Sequence, residues 1–369
     1  LGVYYSGIKR TNDAIKVFDE ALSYQETLQS MESYRSKILH YQSLCYYWNG
    51  DLKQAISLEK DAISNDFNKT PDYVQALAFY YYKSQDWSNL NTIIKSCYNN
   101  SREPVLRKFY QSKATDRATY WSRAGLFFTD FLPSYAFTNP SPELVSYTYD
   151  AALFSKGILL AAENKSSEMT LNSDDPELVK LYERYLELKD KKNKTLDEKF
   201  EMEALSDVVL RHQKENKNEY RKDFRITWTD VQAKLNTGDV AIEFITIPSP
   251  DGNDNYAALI ITKEVSAPKL IKLGNFKKFA SIPSENIYTT SQYYELVWGP
   301  LETYIQNAKN IYFSPAGIFC NTAIEYLPDE NDININATHK VWRLSSTKEL
   351  VLSKPTSYNT CALFGGINY

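Results

Sequence analysis

The sequence predicts an α+β fold, in which an N-terminal helical superhelix and a helical connector precede a partial α/β sheet. Apolar residues recur at helical spacing over most of the first 228 residues. Val, Ile, Phe and Tyr then gather in short runs bounded by Gly, Pro, Asn and Asp, which is typical of strands. These runs alternate with helical segments, so we expect a sheet that is at least partly parallel. The predicted regions are residues 1–103, 104–228 and 229–369.

The composition indicates a folded chain of two or three domains. Its 369 residues are 43% hydrophobic, which is enough to build a packed core. A net charge of −4 offers no basic excess for nucleic acid or for an anionic membrane surface, and no apolar run is long enough to predict a membrane span. The motifs GxxxxGK[ST], GxGxxG and HExxH are absent, so we predict neither cofactor nor metal. The four cysteines are widely spaced and include no CxxC pair, which favours a reducing, cytoplasmic compartment.

The first hundred residues repeat a pattern of small and aromatic residues. The pattern begins as Leu-Gly-x-x-Tyr at residues 1–5 and continues as Ala-x-x-x-Phe-x-x-Ala at residues 14–21. Small residues let two paired helices approach closely, and the aromatic rings fill the gap between them. A second copy carries Glu59 where the pattern has an aromatic residue, and a third, degenerate copy spans residues 78–97. The signature positions of the first two copies are Gly2, Tyr5, Ala14, Phe18, Ala21, Tyr46, Ala55 and Ala62.

This pattern resembles the tetratricopeptide (TPR) repeat. Ala14 and Ala55 stand 41 residues apart, whereas the usual period is about 34, so we expect a lengthened helix through residues 24–31. Stacked repeats form a concave surface that binds a peptide or another domain, which predicts a protein or peptide partner. A purely structural superhelix, packed on the rest of the chain, is the alternative interpretation.

Residues 104–228 are predicted to form a helical connector. An aromatic, amphipathic segment covers residues 117–131, and prolines break it before a helix at residues 142–160. Helical spacing places Tyr149, Leu153, Lys156 and Leu160 together on that helix. An antiparallel helix pair is predicted at residues 178–188 and 195–212. The charged turn between them is interpreted as solvated rather than as a basic binding patch.

The last third of the chain predicts strands at residues 240–247, 256–262, 269–273, 311–313 and 362–364. A capping box from Thr229 to Gln232 is expected to start a short helix before the first strand. Another helix, kinked at Gly299-Pro300, is expected between the third and fourth strands. An apolar fifth strand without a neighbour is an exposed edge, so we expect this half of the chain to be only marginally stable.

Several blocks of this half resemble, in their order, the CHAT domain. This is a caspase-like, separase-related cysteine peptidase domain that usually follows TPR repeats. The blocks are WTDVQAKLNTGDVAIEF from Trp228, YAALI from Tyr256, IYFSPAG from Ile311, RLSST from Arg343 and LFGGINY from Leu363. A connector segment, YDAALFSKGILL from Tyr149, adds to the resemblance. Ala316 and Asn368 depart from the family pattern, which has Asp at both places. The resemblance covers roughly the last 140 residues, together with the connector segment and the repeats.

The resemblance implies a bacterial cysteine endopeptidase whose repeats bind or sense a protein partner and regulate the protease. In that family the catalytic histidine and cysteine lie in ATHG and SACxTG motifs, which follow the block matched here by LFGGINY. We therefore expect this chain to be a fragment, the N-terminal portion of such an enzyme, without the catalytic dyad and inactive alone. A non-enzymatic TPR scaffold with a degenerate CHAT domain is the alternative. Gly365, Gly366 and Tyr369 are candidates for a pocket wall.

The histidines and cysteines of the chain are interpreted as structural. His339 follows Asn-Ala-Thr and so echoes ATHG, but Lys340 replaces the glycine and the segment precedes RLSST. Cys361 lies in a predicted strand, where a thiol behaves as a small hydrophobe, and Cys320 follows a turn. His40 and His212 fall in predicted helices without a partner pattern.

Three other polar residues near the blocks have two possible roles. Glu325, Ser345 and Ser346 could border the active site that the resemblance implies. Helix caps and turn anchors account for the serines equally well and are the preferred interpretation. Glu325 is expected to be a buried, paired carboxylate, although the sequence does not name its partner.

Overall fold

The computed structural model describes residues 2–28 and 32–352, which form an α+β fold with helices first and a five-stranded sheet after them. The predicted fold class is confirmed. The predicted strand at residues 362–364, together with Cys361, Gly365, Gly366 and Tyr369, lies outside the described residues.

Three helix pairs make up the repeats. They are α1 (Gly2–Gly7) with α2 (Thr11–Leu28), α3 (Glu32–Trp48) with α4 (Leu52–Ser64), and α5 (Pro71–Lys83) with α6 (Trp87–Gln111). Ala14, Ala55 and Ala62 are fully buried, as the repeat pattern requires. A Cβ on Gly2 would lie 2.5 Å from the Phe18 ring, so glycine is what lets α1 rest on α2.

The remaining signature residues and the turns also agree with the pattern. Tyr5, Ala21 and Tyr46 are partly buried. The second helix of two pairs begins at a capping aspartate: Asp51 accepts the Gln54 N–H at 3.0 Å, and Asp86 accepts the Asn89 N–H at 3.2 Å. The expected lengthening at residues 24–31 is seen as far as Leu28, where the described part of α2 ends.

The connector consists of shorter helices. They are α7 (Ala114–Ala124), a π-helical turn (Phe127–Phe131), α8 (Leu132–Thr138), α9 (Pro142–Ser155), α10 (Ile158–Leu171), α11 (Pro176–Asp190), α12 (Leu196–Glu215) and α13 (Lys217–Lys222). The boundary expected after residue 103 falls inside α6, which runs on to Gln111. The predicted pair α11 and α12 is confirmed, and Thr195 and Glu198 form a capping box at the start of α12.

The prediction of one helix over residues 142–160 is wrong. Gly157 has φ +64°, a left-handed conformation that ends α9, and α10 begins directly after it. Lys156 therefore leaves the helical face on which its spacing placed it. Leu160, at the other end of that predicted face, is largely exposed.

The last part of the described chain contains the five strands of the sheet, with helices before, between and after them. The strands are β1 (Asp239–Ile247), β2 (Asn255–Thr262), β3 (Lys269–Asn275), β4 (Asn310–Ser314) and β5 (Lys340–Arg343). The helices are α14 (Trp228–Lys234), α15 (Phe276–Ala280), α16 (Gln292–Val297), α17 (Glu302–Ile305), α18 (Ile335–Thr338) and α19 (Glu349–Leu352). The strand order is β3-β2-β1-β4-β5, antiparallel from β3 to β1 and parallel from β1 through β4 to β5. The expected mixed sheet is therefore present.

Two local features of this region differ from what the sequence indicated. β5 was not predicted, because three of its four residues are charged or aromatic and exposed, as an edge strand allows. The predicted capping box at Thr229 is wrong. Thr227 precedes α14 and donates its backbone N–H to Asp230 Oδ2 at 2.8 Å. The Gln232 side chain instead donates to the carbonyls of Thr262 and Val265.

The connector covers one face of the sheet. Alternate residues of β1 and β2, among them Ala241, Ile245 and Leu259, belong to one core that continues into α6, α8 and α9. The opposite face, including Ile242 and Phe244, packs against α15, α16 and α17. The connector is thus an integral layer of the sheet domain, and it brings α9 to the parallel strands.

Candidate functional site

A fully buried carboxylate, Glu243, lies where the connector meets the parallel strands. Glu243 is aligned with Ser314, the last residue of β4. The alternation along β1 directs its side chain to the same face as Ala241 and Ile245, which is the face under the connector. A charge in such a place needs bonding partners, because an unpaired buried carboxylate is strongly destabilising.

Four donors surround Glu243. Lys156 Nζ lies 2.6 Å from Oε2. The other oxygen, Oε1, accepts the Thr347 N–H at 2.6 Å, the Thr347 hydroxyl at 2.8 Å and the Ser346 hydroxyl at 3.0 Å. Charge-assisted bonds of this kind are among the strong ones in proteins. Glu243 therefore holds the loop after β5 and the end of α9 against β1.

Two lysines near this carboxylate bind backbone carbonyls. Lys156 Nζ also donates to the Ser314 carbonyl at 3.0 Å and to the Ser314 hydroxyl at 2.7 Å. Lys348 Nζ donates to the carbonyls of Leu153 and Lys156, both at 2.9 Å, and so caps the C-terminus of α9. Burial lowers the pKa of Lys348, while the nearby Glu243 carboxylate acts in the opposite direction.

Tyr149 completes the arrangement. Its hydroxyl lies 3.0 Å from Thr347 Oγ1, and burial raises the pKa of Tyr149 well above its ordinary value. Together these contacts define the Glu243 cluster, which consists of seven residues: Tyr149, Lys156, Glu243, Ser314, Ser346, Thr347 and Lys348. Since one ion pair and three hydrogen bonds hold Glu243, the cluster is suited to positioning backbone rather than to proton transfer.

The Glu243 cluster collects residues from four separate sequence blocks. Tyr149 and Lys156 come from the connector segment, Glu243 from the block that includes β1, and Ser314 from the block that includes β4. Ser346 belongs to RLSST and donates its hydroxyl to Glu243. Sequence reasoning did not connect these blocks. The signal that could have done so is the presence of Lys156 and Glu243 within otherwise apolar segments.

A small cleft of about 240 Å³ opens beside the cluster. The π-helical turn, α9 and the end of β1 border it, and Lys156, Thr246 and Ala316 are among the lining residues. Thr246 Oγ1 is buried and has no hydrogen-bond partner within the described residues. Gly317 closes the turn after β4 with φ +56°, and a Cβ there would lie 2.7 Å from Thr246 Oγ1. The Ser-Pro-Ala-Gly turn therefore requires glycine at this position.

A larger groove of about 790 Å³ lies on the repeats, between α5, α6 and α7. Charges of both signs line it, namely Asp72, Lys108, Asp116 and Arg123. Tyr120 contributes an aromatic ring. A groove with mixed charges and an aromatic ring is suited to a polypeptide segment.

An aromatic surface is formed by the first helices of the second and third pairs. The rings of Tyr47 and Phe79 meet edge to face at 5.3 Å, which joins α3 to α5. The Lys83 ammonium lies 5.2 Å from the Phe79 ring centre and 5.7 Å from that of Tyr82. Trp48 leaves half of its surface exposed. Aromatic side chains of this kind are enriched in protein–protein contacts.

The unexpected Glu59 is explained by buried polar contacts within the second helix pair, which Ser43 extends to the third pair. Glu59 is fully buried, and its Oε1 lies 2.8 Å from His40 Nδ1. Ser43 donates its hydroxyl to Glu59 Oε2 and lies 3.1 Å from the Tyr80 hydroxyl. Burial raises the pKa of Glu59, and the contacts with His40 and Ser43 counteract this. His40 thus has a partner that its sequence pattern did not reveal.

The other candidate residues of the sequence lie apart from the Glu243 cluster. His339 follows α18, with Nδ1 2.7 Å from the Thr338 hydroxyl. Cys320 is exposed at the end of a 3₁₀ turn. Arg343 is the partner of Glu325 at 3.0 Å and also donates to the carbonyls of Phe319, Cys320 and Thr322. Glu325 is therefore paired, as expected, although it is partly rather than fully buried.

Within residues 2–28 and 32–352, no group of three or more His, Cys, Asp or Glu side chains is placed to hold a metal ion. No helix in the same ranges is both long and apolar enough to cross a membrane. Comparison of the chain with protein-family models, with curated proteins and with solved structures found no match.

Proposed function

We propose that this chain is the N-terminal, regulatory portion of a TPR–CHAT cysteine endopeptidase. Its repeats bind a protein partner, and its connector links them to the sheet that supports the peptidase site. The observation that carries the proposal is the Glu243 cluster. Four sequence blocks that resemble the family separately supply residues to one buried set of contacts, as expected if they serve one structural purpose.

The position of the cluster fits a role next to a catalytic centre. In α/β sheets that contain parallel strands, reacting groups gather at the carboxyl ends of those strands. Glu243 binds the loop that follows β5 at this edge, through Ser346 and Thr347. A cysteine peptidase needs a thiolate, a histidine and oxyanion donors held in fixed geometry. In the proposed enzyme, later strands add the cysteine and histidine at this edge, and the cluster fixes the backbone beside them.

The connector joins the repeats to that edge of the sheet through packed side chains. α6 belongs to the third repeat and shares a core with α9, and Lys156 directly follows α9. A partner that shifts the repeats would change the packing of α9. Lys156 would then carry this change to Glu243 and Ser314. Coupling of this kind travels through packed side chains and buried bonds that join two sites.

The peptidase proposal is tested in the full-length protein, read beyond Tyr369. We expect an ATHG motif and then an SACxTG motif, and covalent labelling of the SACxTG cysteine by a peptidyl electrophile. Substitution of that cysteine by alanine is expected to abolish both labelling and cleavage of a peptide library. The matched controls His339→Ala and Cys361→Ala are expected to retain activity. Absence of both motifs would favour the non-enzymatic scaffold, and loss of activity in either control would overturn the structural interpretation of that residue.

The partner proposal is tested at the groove between α5, α6 and α7. Charge reversal at Lys108→Glu together with Arg123→Glu is expected to weaken binding of the partner polypeptide by about tenfold or more, since charges rimming a groove govern recognition. The measurement is the dissociation constant of the partner that copurifies with the full-length protein. Lys53→Glu, on the exposed surface of α4, is the matched control and should leave binding unchanged. Equal affinity of the groove variant and the control would exclude this groove.

A further inference from the structure

Two arginines share one carboxylate where α6 meets α13, and a third arginine lies close enough to act on one of them. Glu103 lies on α6, and Arg221 lies on α13. Arg225 follows α13, and its Nη2 lies 3.0 Å and 3.2 Å from the two oxygens of Glu103. Arg221 donates to the same carboxylate. Glu103 is therefore shared between two guanidinium groups.

The third arginine adds positive charge without a paired carboxylate. Arg102 lies over the Tyr98 ring at 5.2 Å and donates to the side-chain oxygen of Asn99. Asp150 is the nearby acidic group that acts on Arg102, but burial raises the pKa of Asp150 to about 7, so its charge is incomplete at neutral pH. Among the ion pairs of the described residues, these three arginines have a single carboxylate between them, that of Glu103.

The arginines also repel one another. Burial lowers the pKa of Arg221, and the positive charges of Arg225 and Arg102 lower it further. Like charges held this close destabilise the contact between α6 and α13 unless an anion offsets them.

Hydrogen-bond donors in the same group remain unused. The Nε atoms of Arg102 and Arg221 are both buried, and within the described residues neither has an acceptor. A buried N–H without an acceptor costs free energy, so its presence in two neighbouring arginines calls for an explanation. Surplus positive charge and unused guanidinium donors together are the features of an oxyanion site.

We propose that Arg102, Arg221 and Arg225 bind a phosphate-class oxyanion, either free phosphate or a phosphate group carried by a small molecule. The guanidinium fork presents parallel N–H groups that match the oxygens of a phosphate. The anion offsets the surplus charge and bridges α6 to α13. Since α13 lies only a few residues before α14 and the sheet, the ligand strengthens the contact between the repeats and the connector. The site does not depend on the proposed peptidase activity.

The test is thermal unfolding of the full-length protein with inorganic phosphate, with ATP and with sodium chloride at matched ionic strength. We expect the melting temperature to rise and saturate with phosphate or with ATP, but not with chloride. A stronger response to ATP would assign the site to a nucleotide phosphate, and a stronger response to inorganic phosphate would assign it to the free ion. No saturable response to either would overturn the proposal.

Variants distinguish anion binding at this site from a general screening of charge. Arg225→Gln is suitable because the Arg225 side chain is half exposed and its loss should leave the fold intact. We expect Arg225→Gln and Arg102→Gln each to weaken the apparent affinity by about tenfold, the usual effect of losing one charge-assisted bond. Arg211→Gln, on the exposed surface of α12, is the matched control. Unchanged affinity in both site variants, with folding verified by circular dichroism, would contradict the assignment.

Discussion

Glu243→Ala is expected to be the most destabilising single substitution in the sheet domain. The variant leaves Lys156 and the Thr347 N–H buried without their carboxylate partner. Removing one member of a buried ion pair costs about 3–5 kcal/mol, because the remaining charge loses its counter-ion in a place where little water reaches it. The measurement is the free energy of unfolding in urea, with the full-length protein and circular dichroism as the signal.

A second set of variants tests whether Glu243 acts through Lys156. Lys156→Met combined with Glu243→Gln is expected to lose less stability than the sum of the two single variants, because neither member of the pair remains as a charge without its partner. Glu264→Ala, in an exposed turn of the same domain, is the matched control and should show no measurable change. A loss below about 1 kcal/mol in Glu243→Ala would show that the cluster does not hold the domain together.

Asp150→Asn is expected to remove a pH dependence of stability. Asp150 on α9 accepts the Trp228 N–H at 2.7 Å and so ties the connector to the start of α14. Burial raises the pKa of Asp150 from 3.8 to about 7, and the bond from Trp228 and the charge of Arg102 only partly offset this. Between these two pH values the folded protein holds a proton that the unfolded chain has lost. Stability therefore falls as the pH rises from about 4 to about 7.

Asparagine cannot ionise, but its side-chain oxygen can still accept the Trp228 N–H. Asp150→Asn should therefore match the wild type near pH 4 and exceed its stability above pH 7, by on the order of 2–4 kcal/mol. Urea midpoints at pH 5, 6, 7 and 8 measure this difference. Asp174→Asn, at an exposed site, is the matched control. A difference between variant and wild type that is the same at pH 5 and pH 8 would rule out Asp150 as its source.

The elements that the sequence predicted well depend on neighbours in the chain. Ala14 and Phe18 are four residues apart, so they mark one face of a helix whatever surrounds it. β1 and β2 can be recognised from their runs of apolar residues, because both strands are buried inside the sheet. β5 gave no such signal, since an edge strand can be polar and needs only the β4 backbone as its partner.

Helical periodicity does not show where a helix ends, as the segment around Lys156 illustrates. The spacing from Tyr149 to Leu160 fits one continuous helix, yet Gly157 takes a left-handed conformation and ends it. Glycine permits this conformation but does not impose it. The contacts of Lys348 with the last carbonyls of α9, and of Lys156 with Glu243, stabilise the break.

The sequence by itself determined the class of fold, the repeated helix pairs and most of the strands, because these follow from local periodicity and burial. It also supplied the family resemblance, which stays a proposal. Only the tertiary structure decided which polar residues meet. Thr347 reaches Glu243 across 104 positions of sequence, and Lys156 reaches Ser314 across 158. The physical reason is that a buried charge is satisfied by whichever donors the fold brings within about 3 Å, and no local pattern records that choice.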